Sequence, residues 1–64
     1  MREADLRARL ESHLGRAYSL MWSETVVLER LGHRTVSEAL AGGVPCKEIW
    51  LAAWEALELP PRER

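Results

Sequence analysis

The chain has no phenylalanine, one cysteine and one tyrosine among its 64 residues. A single cysteine, Cys46, excludes an intramolecular disulfide. A domain this short buries only about 60% of the surface its unfolded chain exposes. Folding must therefore rest on helix packing alone or on association with another subunit. No unbroken apolar run approaches the roughly 20 residues of a membrane-spanning helix. The opening Met1-Arg2-Glu3-Ala4-Asp5-Leu6-Arg7 lacks the apolar segment of a secretory signal. With a lone cysteine, this predicts a cytoplasmic protein. No stretch alternates apolar and polar residues with period two, so no strand is expected.

An excess of one charge is also missing. Nine basic and ten acidic residues leave a net charge of −1, which predicts no general affinity for nucleic acid or anionic membrane. The charges are unevenly spread. From Thr35 to Leu59 the only base is Lys47, against Glu38, Glu48, Glu55 and Glu58. The ingredients of catalysis are sparse as well. Gly42-Gly43 has neither the preceding strand nor the following Lys-Ser/Thr of a phosphate-binding loop. His13 and His33 have no partners at zinc-ligand spacing, and Cys46 completes no such set. Cys46 does fall near a helix start, where a thiol can be activated, but a packing role accounts for it more simply. The expectation is a protein that is not an enzyme, with no catalytic residues, metal, cofactor or small-molecule substrate.

What is present is helical patterning. A first helix is predicted over Glu3 to Leu14, with Leu6, Leu10 and Leu14 in one stripe and Gly15 as its stop. A second is predicted from Arg16 or Ala17 to Leu31, with Ala17, Leu20, Met21, Leu28 and Leu31 on one side and Tyr18, Trp22 and Val26 beside them. Its wide apolar sector suggests a central helix. Ser23-Glu24-Thr25 and the β-branched Val26-Val27 leave open a break, with continuity to Gly32 the expectation. Thr35-Val36-Ser37-Glu38 is a capping box that opens a short third helix, facing inward through Val36, Ala39 and Leu40 and closed by Gly42-Gly43. A fourth helix starts near Pro45 and packs through Ile49, Trp50, Ala53 and Leu57, flanked by Leu51 and Trp54. Pro60-Pro61 ends it. The fold class is therefore all-α: a small compact bundle of three longer helices plus one short one, with a helix-turn-helix-like C-terminal half. Residues 1–59 form one domain and 60–64 a loose tail.

Met1-Arg2, Gly15-x-Ala17-Tyr18, Val27-Leu28-x-x-Leu31-Gly32-x-Arg34-Thr35-Val36-x-Glu38-Ala39-Leu40, and then Gly43, Lys47, Trp50 and Pro60 follow one another in an order and spacing that resemble a family of short actinobacterial proteins. That family is a domain of unknown function, family 3046. The resemblance runs nearly end to end. It implies a small helical fold and no activity.

Two functional readings compete. Ala39, Gly43 and Ile49 have the spacing of a helix-turn-helix, in which a small residue and a tight turn let two helices cross closely. The last helix would then read DNA. Its outward residues are poorly suited to that, since phosphate contacts want Arg or Lys and base edges want Arg, Asn or Gln. The favoured reading is a protein-protein interaction module, by a protein partner or self-association. Three tryptophans are many for so thin a core, and Trp and Arg are frequent binding anchors. Candidate partner-binding residues are Leu51 and Trp54, at the rim of the last helix, with Arg34 and Lys47, which the fold does not obviously require.

Overall fold

The computed structural model describes residues 1–64. Helix α1 spans Glu3–Leu14. Its first turn is held by Asp5, whose carboxylate accepts the backbone N–H of Arg2 at 3.2 Å. Leu6 and Leu10 are fully buried and Leu14 packs against the core, so the predicted stripe forms. Gly15 ends α1 and begins α2. Its N–H donates to the Glu11 carbonyl and its own carbonyl accepts from Ser19. With φ 83° and ψ 158° it occupies a region open almost only to glycine, which lets two helices meet at one residue.

Helix α2 spans Arg16–Thr25 and does not reach Leu31, a correction to the expected continuity. Thr25 donates its hydroxyl back to the Met21 carbonyl at 2.7 Å. The β-branched Val26 then leaves the helix in an extended conformation. Leu28 forms an isolated antiparallel bridge with Arg34, its N–H donating to the Arg34 carbonyl at 2.9 Å. A 3-10 turn at Glu29–Leu31 and a left-handed Gly32 close the loop. This loop drives Leu28 into the core.

The break also changes which side of α2 is inside. Once Leu28 and Leu31 leave the helix, they no longer extend the Ala17–Leu20–Met21 side. The helix instead buries Trp22 with Ser19 and Ser23. The serines, one turn apart, are small enough for close approach to α1, and Ser19 satisfies its hydroxyl on the Arg16 carbonyl at 2.9 Å. Ala17, Tyr18, Leu20 and Met21 point outward.

Helix α3 spans Val36–Ala41 behind the predicted capping box. Thr35 Oγ1 accepts from the Glu38 N–H at 3.1 Å, and Glu38 Oε1 accepts from the Thr35 N–H at 2.8 Å. Helix α4 spans Cys46–Ala56 and is the central element. It supplies Ile49, Trp50, Ala52 and Ala53, four of the ten buried apolar residues, and packs against α1, α3 and the Glu29–Leu31 turn. Both α3 and α4 end in the same device. The second residue past the cap donates back five positions (Val44 to Ala39, Leu59 to Trp54), and the residue between takes positive φ. That residue is Gly43 after α3 and Glu58 after α4. The result is an all-α globule of three longer helices and one short one.

Candidate functional site

Lys47, Trp50 and Trp54 lie one turn apart along α4 and share one side of it. Residues 60–64, expected to be loose, lie against that side. After Glu58 the chain turns back, and Pro61–Glu63 forms a 3-10 turn. An indole N–H buried without an acceptor costs free energy, and this segment supplies the acceptors. Trp54 Nε1 donates to the Pro60 carbonyl at 2.9 Å. Trp50 Nε1 donates to the Glu63 carbonyl at 2.8 Å and to that of Arg64 at 3.1 Å. Lys47 Nζ donates to the Arg64 carbonyl at 2.6 Å, joined by Arg9 at 3.3 Å. One guanidinium lies over each ring: that of Arg9 is 5.3 Å from the Trp50 ring and that of Arg64 5.2 Å from the Trp54 ring. His13 stacks on Trp50 with ring centroids 6.0 Å apart, and its Nε2 lies 3.5 Å from a Glu63 carboxylate oxygen. Arg9, His13, Lys47, Trp50 and Trp54 thus form a clamp that closes on residues 60–64 and leaves Trp50 fully buried.

The four residues singled out from the sequence do not form one surface. Lys47 and Trp54 belong to the clamp. Leu51 is half-buried on another side of α4, where it lines a shallow cleft of about 400 Å³ with Arg30, Leu31, Val44 and Glu48. Arg34 is exposed. Its guanidinium covers Gly42, where an added Cβ would stand 3.3 Å from Nη1, so a side chain at residue 42 would displace it. Beside the cleft, Arg30 and Glu55 make an ion pair at 2.6 Å. No three His, Cys, Asp or Glu side chains gather where they could hold a metal ion. No helix is long and apolar enough to cross a membrane.

The surface missed by sequence reasoning is the outer side of α2. Tyr18, Leu20 and Met21 are 50%, 55% and 53% exposed, and Val27, just past the helix, is 53% exposed. A single exposed apolar side chain is ordinary, but several large ones within about one turn of a helix mark contact surfaces. The available signal was the possible break at Ser23–Thr25: a helix ending there must choose between burying Trp22 and burying Leu20 with Met21.

A family model for proteins of unknown function, DUF3046, matches residues 1–62. The chain belongs to that family. The match takes in α1 to α4 and the segment as far as Arg62, and leaves out Glu63 and Arg64 of the clamp. Neither curated proteins nor solved structures yield a match.

Proposed function

We propose that this DUF3046 protein is a non-enzymatic protein-protein interaction module that docks through the outer side of α2. The observation carrying this reading is the exposure of Tyr18, Leu20 and Met21 together on one helix of a chain with a small core. Covering such a side removes apolar area from water at about 25 cal/mol per Å². A non-enzymatic role is supported by the duties of the reactive side chains. His13 is stacked on Trp50 and paired with Glu63, His33 sits in a turn at φ 62°, and Cys46 packs against the core. Arg34 and Leu51, accessible elsewhere, are further contact candidates. DNA reading through α4 has less support: Lys47 is engaged by Arg64, and Glu48 and Glu55 are exposed on the same helix.

Photo-crosslinking tests the reading. A photoreactive residue is placed at Tyr18 in one variant and at the exposed Ser12 of α1 in another, and each is irradiated in the cells that make the protein. Discrete protein adducts are expected from residue 18 and not from residue 12. No adduct from residue 18, or equal labelling from both, contradicts the proposal.

A further inference from the structure

The charges at the two ends of α2 run against the helix. Arg16 is its first residue and Glu24 lies in its last turn. A helix carries partial positive charge at its N-terminus and partial negative charge at its C-terminus, so each group sits at the end that disfavours it. Neither has an ion-pair partner within 4 Å, although Arg16 shares a shallow cleft with Glu11 of α1. The ion pairs are Arg7 with Glu3 and Arg30 with Glu55, with His13 beside Glu63, and neither the Arg16 guanidinium nor the Glu24 carboxylate makes a hydrogen bond. Nor does the first turn hold an acid or the last turn a base. Leu20 lies midway between the two charges on the same side of the helix, one turn from each, with Ala17 beside it, and both are exposed.

We infer that the partner of this side is a second copy of the chain, with the two α2 helices antiparallel about a twofold axis near Leu20. The inference rests on the proposed docking role of α2 and names its occupant. Arg16 and Glu24 stand eight residues apart, about 12 Å along the helix. Antiparallel pairing sets Arg16 of each copy against Glu24 of the other, at both ends of the contact, whereas parallel pairing sets like charge against like. The pairing is self-complementary, as a twofold interface requires. It brings Leu20 against its own counterpart, and Ala17, without a long side chain, permits close approach. It also places each misplaced charge beside an opposite one, which accounts for an arrangement that weakens the isolated helix.

Sedimentation equilibrium on the full chain, with circular dichroism on the same samples, is the test. The expected result is a reversible dimer that weakens with added salt. Arg16→Glu and Glu24→Arg each convert two attractive contacts into repulsive ones, because the twofold repeats the pair, and each weakens the dimer by roughly tenfold. The double reversal restores it. Both single reversals improve the match to the helix dipole, so thermal midpoints measured where the chain is monomeric stay level or rise, which separates lost pairing from lost folding. A chain monomeric up to millimolar concentration, or a dimer that the double reversal leaves weakened, overturns the inference. Monomeric behaviour combined with adducts to a different protein from residue 18 would overturn this pairing and leave the docking role standing.

Discussion

Two sides of this small protein handle surplus apolar surface in opposite ways. On α4 the surplus is aromatic, and Trp50 and Trp54 carry N–H groups. Those groups need acceptors at fixed positions, and the chain provides them by folding residues 60–64 back over the rings. On α2 the surplus is Tyr18, Leu20 and Met21, and nothing in the chain covers it. Aliphatic and thioether groups need only exclusion from water, which any shape-matched apolar partner supplies. The indole donors of α4 are satisfied within the molecule, whereas Leu20 and Met21 of α2 stay exposed to water. The comparison also separates residues that look alike in sequence. Trp54 and Leu20 are both large and apolar on amphipathic helices, yet one is engaged by its own chain and the other is free.

The contrast can be broken most severely at Trp50. Trp50→Ala removes the largest fully buried side chain and should cost about 3–5 kcal/mol. For a chain this size that is a large share of a total of roughly 3–10 kcal/mol, so urea unfolding followed by circular dichroism should show a largely unfolded protein at room temperature. Truncation after Leu59 uncovers the α4 side while keeping its residues. Losing the acceptors for both indoles should cost about 2–3 kcal/mol and shift tryptophan emission to the red. An unchanged spectrum would mean that the clamp is not closed in solution. Thr35→Ala opens the capping box, away from both sides, and should cost about 1 kcal/mol without altering emission. Leu20→Ser should leave the stability of the monomer within about 0.5 kcal/mol, measured at low micromolar concentration. A loss the size of that at Trp50 would place Leu20 in the core.

Much of this fold was legible because local signals agreed with one another. The Leu6–Leu10–Leu14 stripe, the Thr35–Glu38 box and the Ile49–Trp50–Ala53 side each pair a period with a cap or stop. The end of α2 was not legible in the same way. Its periodicity continues to Leu31 while its propensity falls at Thr25–Val27, and tertiary packing resolves the conflict in favour of burying Trp22. The clamp was hidden for a different reason. Pro60-Pro61 reports that a helix stops, not where the chain goes next, and the turn is made by Glu58 at φ 53° rather than by a glycine. The demand of two indole N–H groups for acceptors was the one available clue. Of the candidate site, Lys47 and Trp54 could be picked out as residues with something to hold; that their partner is residues 60–64 depends on a chain reversal that no local pattern encodes.

A dilution series of amide and indole resonances tests the central contrast most directly. Between low micromolar and millimolar protein, the account predicts that amides of Ala17–Thr25 shift with concentration, while the indole N–H signals of Trp50 and Trp54 stay fixed. Indole signals that move with concentration while the α2 amides remain still would contradict it.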